Sequence, residues 1–266
     1  MGNCILTRRG GGAWVGIPNF TYTGTYETVD DGDGNWRIKF LTSGIFTLLR
    51  PSKLLIDIFC VGGGGAGQGN GGGGGYTALS KSVEIVSRTP YQVTVGSGGR
   101  ANRSTSGTST NGGNTSAFDL SAQGGYSGGN ALNGYLGSGA SGGGGRGNNG
   151  SGTGDTGRGG AGGSNGSNGT NGTGRNGYDG GRGQGTTTAE FHESGAQLYS
   201  AGGGGGGSRS GGAGGNPGGG AGAKSDGSNG RHATFYGSGG GGDPYFEGGN
   251  GYQGIAIIRN AREAAA

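Results

Sequence analysis

His192 and Glu193 are adjacent in the chain, an imidazole beside a carboxylate, and such a pair acts as a general base where a cleft encloses it. On an open surface it is an ordinary polar turn between two short strands. His232 is the other histidine, and Cys4 and Cys60 are the two cysteines, so a zinc site has almost no ligands to draw on. Asp30, Asp31 and Asp33 stand together in Asp30-Asp31-Gly32-Asp33-Gly34-Asn35. Carboxylates in pairs cleave glycosides and carboxylates in clusters hold calcium, but Asp-Gly and Gly-Asn are first of all the chemistry of a tight hairpin turn. Gly162-Gly163-Ser164-Asn165-Gly166 has the outline of a nucleophile elbow, yet no strand leads into it and no helix follows. With 81 glycines in 266 residues, dinucleotide-type glycine patterns arise by chance, and the phosphate-loop pattern fails at Lys224, which follows Ala223 instead of glycine. No enzyme, cofactor or metal is expected.

Binding chemistry is better represented. Fifteen arginines stand against four lysines, many beside glycine as in Arg146-Gly147, Arg158-Gly159-Gly160 and Arg182-Gly183. Arginine-glycine segments bind RNA by charge and stacking. Only Arg9 and Arg158 begin a true Arg-Gly-Gly, and aromatics are not regularly interleaved, so arginines solvating a glycine surface are the preferred account. Tyr126, Tyr135, Tyr178, Phe235, Tyr236, Tyr245 and Phe246 interrupt segments otherwise almost without side chains. Aromatics on loops of a rigid scaffold engage carbohydrate or protein surfaces, and these seven are the receptor-binding candidates, Tyr245 and Phe246 beside Pro244 foremost. The plainer alternative for each is a plug at the edge of the glycine region.

The elements that must position these residues follow from where the apolar residues lie. Leu, Ile, Val and Phe number 36, of which 25 precede Gly96 and three isoleucines fall in the last dozen residues. So few would suit a disordered chain, but disorder by charge needs a high net charge and the balance is +4. Trp36-Arg37-Ile38-Lys39-Phe40 alternates with period two, a strand with one buried face. Strands are also expected over 45–49, 54–61 and 91–95, with a weaker one over 77–86, and Ile255-Ala256-Ile257-Ile258-Arg259 needs the N-terminal sheet as partner. Gly154, Gly157, Gly160, Gly163, Gly166, Gly169 and Gly172 repeat every three residues before the register slips to Gly174. Three residues per turn is the period of an extended left-handed helix, and five prolines are too few for collagen.

The expected fold is mainly β: an antiparallel β-sandwich formed by both chain ends, with an inserted bundle of polyglycine-II helices. Residues 1–19 form an attachment segment and 20–260 a single glycine-rich domain. Within that domain 20–95 and 254–260 make the sandwich and 96–253 the polyglycine-II region, and 261–266 is a frayed tail. Cys60, in an apolar strand, is expected as a buried free thiol sooner than as the partner of Cys4. No stretch is apolar and long enough for a membrane span, Met1-Gly2-Asn3-Cys4 opens no signal peptide, and the seven Asn-x-Ser/Thr sites from Asn19 to Asn171 arise by chance in so rich a background.

The order of the islands carries a resemblance. Thr42 to Thr47, Leu55 to Gly65, Gly71 to Tyr76, Thr186 to Phe191, Leu198 to Ala201 and Gly254 to Arg259 together resemble the glycine-rich domain of phage and prophage tail proteins, over about Phe20 to Arg259. More widely the chain is similar to the adhesins that cap the long tail fibres of T-even phages and to the glycine-rich extracellular domain of anaplastic lymphoma kinase. The resemblance implies a non-enzymatic phage tail protein at a fibre or baseplate tip. Its partners would be other tail proteins and a bacterial cell-surface glycan or outer protein, with no nucleic acid and no membrane insertion. It would reside in the virion and be extracellular after lysis. The alternatives are a glycine/arginine-rich nucleic-acid-binding or assembly protein with a disordered tail, and an ice-binding or matrix protein.

Overall fold

Apolar residues at every second position bury one face of a strand, and the segments with that pattern pair into sheets. The computed structural model describes residues 16–102, 108–129, 139, 141–145, 147, 166–172, 187–224, 227–243 and 247–262. In chain order the strands are β1 (Asn19–Tyr22), β2 (Tyr26–Gly32), β3 (Asn35–Phe40), β4 (Gly44–Arg50), β5 (Lys53–Val61), β6 (Thr77–Val86), β7 (Pro90–Thr94), β8 (Thr115–Ala117), β9 (Leu120–Ala122) and β10 (Ile255–Asn260). They make two antiparallel five-stranded sheets, ordered β1-β4-β7-β8-β9 and β2-β3-β10-β5-β6. The mainly-β, two-sheet fold agrees with the sequence reading. The last strand lies between two of the early ones: Ile258 of β10 pairs with Ile38 of β3 on one side and Ile58 of β5 on the other.

Alternation sorts the side chains of these central strands onto two faces. Trp36, Ile38 and Phe40, Ile56, Ile58 and Cys60, and Ala256 and Ile258 pack with Phe46, Leu48, Val93 and Phe118 between the sheets. Phe59, Val61, Ile255 and Ile257 point the other way and pack with Phe191 and Tyr199. The second face is therefore also buried, which is why β5 and β10 read as continuous apolar runs. Its cover is residues 187–200, a strap that includes a tight turn at Glu190–His192 and a bridge between Ala189 and Leu198. Arg37, on the basic face of β3, thus meets the strap at Glu190. Cys60 is a free, buried thiol, and burial pushes its pKa up to about 12.

The glycine-rich segments hydrogen-bond by a different rule. The amides of Gly62, Gly63 and Gly64 donate to the carbonyls of Tyr76, Gly113 and Tyr252, and those of Gly65, Ala66 and Gly67 return to the same three neighbouring segments at Gly73, Thr110 and Gly249. Residues 71–76 repeat the rotation. Gly71 and Gly74 donate to Gly144 and Ser141, Gly72 and Gly75 to Gly240 and Gly237, and Gly73 and Tyr76 to Tyr126 and Gln123. A sheet strand bonds to two sides, whereas the amides of these segments turn through three, with a period of three residues, and their carbonyls accept from further segments, as those of Gly63, Gly64 and Gly65 do from Gly125, Gly99 and Gly240. Every residue from Ile56 to Gly75 is buried, so this lattice continues the core of β5.

Glycine is required there by crowding. A Cβ on Gly64 would collide with the backbone carbonyl of Ser238, and one on Gly72 with that of Gly65. Backbone on both sides of the contact leaves no side chain free to yield. Of the Gly154–Gly172 row, Gly166, Gly169 and Gly172 are described; beside them Ser167 and Thr170, three residues apart, accept from Gly142 and Gly145. The rest of the row, with Ser164, lies outside the described residues.

Candidate functional site

Among the described residues, a cluster of ion pairs is built where the strap crosses the outer face of β3 and β10. Arg37 projects from β3 because Trp36 and Ile38 turn inward. Its Nε and Nη2 donate to Asp31 at 3.0 and 2.7 Å, and its Nη1 donates to Glu190 of the strap at 2.5 Å. Tyr199 Oη donates to the second oxygen of Glu190 at 2.6 Å, so a carboxylate 3 % exposed has both oxygens engaged. On β10, Arg259 Nε donates to Asp57 of β5 at 3.0 Å and its Nη1 to Glu193 at 2.7 Å, while its guanidinium lies 4.1 Å over the ring of Phe191. Arg262, beyond the end of β10, donates through Nη2 to Asp31 at 2.5 Å.

Of these groups all but Asp57 and Tyr199 line a cleft of about 340 Å³, together with Ala196 and Gln197 of the strap. Partial burial works against ionisation of Asp31, but hydrogen bonds and charge from Arg37 and Arg262 outweigh it and hold its pKa below the ordinary carboxylate value. Burial is likewise the largest influence on Tyr199, whose pKa is raised, with the neighbouring Glu190 adding to it. Phe191 and His192 both have positive φ, 52° and 59°, a conformation that side chains rarely adopt. The ion pairs and ring contacts of the strap hold it there.

A continuous run of ring contacts leads away from the cleft. Phe191 meets Phe59 at 5.8 Å, Phe59 meets Tyr199 at 5.7 Å, and Tyr199–Phe235, Phe235–Tyr236 and Tyr236–Tyr252 follow at 5.5 Å each. The run passes from buried rings to the surface, where Tyr252 is 37 % exposed. Burial raises the pKa of Tyr236, with Tyr252 and Glu27 adding smaller repulsion.

Among the seven aromatic candidates, Phe235 and Tyr236 are brought together and half-buried against the second core cluster. Tyr126 is exposed and accepts a hydrogen bond from Gln123 at 2.9 Å. Tyr135, Tyr178, Tyr245 and Phe246 lie outside the described residues, as do Cys4, Arg9, Arg146, Arg158 and Arg182. His192 and Glu193 do not act as a pair: the imidazole stands edge-on to Phe59 at 6.0 Å while the carboxylate is held by Arg259. Burial, and then the charge of Lys81, lowers the His192 pKa. The aspartate cluster is a turn, with Asp30 Oδ1 accepting from the Gly32 amide and Asp33 at φ 52°. Among the described residues no group of three or more His, Cys, Asp or Glu could hold a metal ion, and no helix is long and apolar enough to cross a membrane.

Sequence reasoning missed Tyr252 and the cleft. Tyr252 carried a signal, since it too interrupts glycines. The cleft carried none, because its residues come from the first hairpin, the strap and the last strand.

No curated protein matches the chain. A family model described as a glycine-rich domain matches residues 41–261, which span β4 to β10 and the whole described lattice. The chain belongs to this glycine-rich domain family.

Proposed function

We propose that the protein is a non-enzymatic component of a phage tail, at a fibre or baseplate tip, that recognises a bacterial cell-surface glycan or outer protein. Its glycine-rich segments are polyglycine-II helices that serve as the scaffold. The observation that carries this reading is the three-residue rotation of hydrogen bonds in 62–67 and 71–76, the geometry of a helix with three residues per turn bonded laterally to its neighbours. Such an interior consumes its own backbone donors and acceptors and offers no side chains with which to choose a partner. Recognition then falls to residues that interrupt the glycines, of which Tyr126 and Tyr252 are exposed and Tyr236 abuts Tyr252. The order of the non-glycine islands supports the placement in a tail, and assembly in a cytoplasm followed by lysis accounts for an extracellular role.

Fluorescently labelled protein incubated with a panel of bacterial cells, and separately with RNA at about 0.15 M salt, tests the reading. Saturable adsorption to some strains, weakened in a Tyr126→Ala/Tyr252→Ala variant, is the expected result. Retention on RNA with no adsorption to any strain would instead support the nucleic-acid alternative.

A further inference from the structure

The strap over residues 187–200 holds one titratable ring in a setting that fits a single charge state. His192 stands at φ 59°, directly after Phe191 at φ 52°, so the contacts that dock the strap keep two consecutive residues in the left-handed region. The imidazole is edge-on to Phe59 of β5, 6.0 Å away at 87°. Its Nε2 is sealed from solvent and has no hydrogen-bond partner among the described residues, while the ring bonds to the Thr187 backbone. A neutral imidazole that donates from Nδ1 to the Thr187 carbonyl suits these surroundings. That carbonyl also accepts from Thr77 Oγ1 of β6 at 2.5 Å, so the ring is tied to the point where the strap meets β6. A second proton would create a charged N–H at Nε2 where nothing accepts it. The neighbouring charges give no relief. Arg37 of β3, Asp57 of β5, Arg259 of β10 and the strap's own Glu190 and Glu193 are joined in ion pairs, and the charge that acts on the imidazole is Lys81 of β6, of like sign.

From this we infer that the strap is an acid-sensitive latch: a second proton on the His192 ring loosens residues 187–200 from the sheet and uncovers Phe59, Val61 and Ile257. Opening lets the Nε2–H reach water, takes the charge away from Lys81 and frees Phe191 and His192 from the left-handed region. The closed strap holds His192 below its ordinary pKa of 6.5, through burial first and Lys81 second. The hold is therefore complete above that value, weakens as pH falls through it, and weakens no further once pH lies below the closed-state value. With an open-strap pKa near 6.5, the open population rises by at most about thirtyfold at pH 5. A change of that size opens one local unit and leaves the sandwich folded. The latch goes beyond the surface-recognition reading and does not rest on it.

Amide hydrogen exchange of the full chain at about pH 7.5 and about pH 5, corrected for the intrinsic rate at each pH, tests the latch. The Glu190 and Tyr199 amides donate within the strap to the Gln197 and Thr188 carbonyls and report its closure. Their protection is expected to fall by about threefold or more at the lower pH, while that of the β5 and β10 amides holds. His192→Asn, an uncharged residue that tolerates positive φ, should abolish the fall. Lys81→Gln, at an exposed position, should reduce it by letting the closed-state pKa rise towards the ordinary value. Strap protection equal at the two pH values, or a fall undiminished in His192→Asn, would overturn the inference. A His192 ring that titrates at or above 6.5 in the NMR spectrum of the wild type would overturn it as well, and that titration decides the matter where His192→Asn does not fold.

Discussion

Arg259 donates from Nε to Asp57 Oδ2 across the β10–β5 pair, 3.0 Å apart, and the two side chains are 3 % and 0 % exposed. Asp57 also sits where the register between β5 and β6 shifts, and its other oxygen accepts the Ser82 amide at 3.0 Å. Removing Asp57 leaves the buried Arg259 with only the half-exposed Glu193 to balance it and takes the acceptor from the Ser82 amide. Asp57→Ala is expected to lower stability by about 3 kcal/mol in urea unfolding, and an apolar Asp57→Leu/Arg259→Met replacement to recover most of it. A loss below about 1 kcal/mol in Asp57→Ala would show that Glu193 alone suffices to balance Arg259.

Asp31 gives the acid limb of the stability curve a defined sign. Its folded pKa lies below the ordinary value of about 3.9, so its contribution is complete above that value and lost as pH falls through the folded pKa. Asp31→Asn should therefore melt below the wild type at pH 6, and the gap should close as pH falls below the ordinary carboxylate value and through the lower folded one. Thermal melts followed by circular dichroism over pH 2–7 read this directly. A gap independent of pH would mean that the Arg37 and Arg262 contacts do not depend on the charge of Asp31.

The lattice predicts two classes of glycine. A Cβ at Gly64 meets backbone, so Gly64→Ala should cost upward of about 3 kcal/mol or prevent soluble expression. Gly227 has φ 92° with open space around its Cβ position, and Gly227→Ala should cost only about 1–2 kcal/mol, the penalty of a left-handed residue. Soluble yield and melting temperature of the two variants decide the matter, and equal costs would contradict the packing.

Cys60, with its pKa pushed up to about 12 and its side chain between the sheets, should resist thiol reagents. In a Cys4→Ser background, labelling by a disulfide reagent at pH 8 should run at least about a hundredfold slower than in urea. Fast labelling of the native protein would place Cys60 at an opening in the sandwich.

The strands were legible where burial is one-sided or complete. Trp36 to Phe40 announces β3 by alternation, the run from Leu54 to Val61 announces β5, and Ile255 to Arg259 announces a strand that needs a distant partner. β2 was not legible, because an edge strand of Tyr26-Glu27-Thr28-Val29-Asp30-Asp31 buries too little to show a period. The cleft was illegible for another reason. Glu190 is buried because Arg37, from the first hairpin, and Tyr199 engage it, and nothing local to Thr188-Ala189-Glu190-Phe191 distinguishes a clamped carboxylate from a solvated one. The period-three bonding is seen in 62–67 and 71–76, continuous glycine runs with no period of their own, and the neighbours of each segment emerge only from the fold.

The central claim is that the glycine-rich segments form a hydrogen-bonded core continuous with the sandwich, and amide hydrogen exchange of residues 62–76 tests it most directly. Their amides donate to five other glycine-rich segments as well as to one another, so they should open only with the domain and be protected as strongly as those of β5 and β10. Exchange of the 62–76 amides at the rate of an unstructured peptide, while β5 and β10 remain protected, would contradict it.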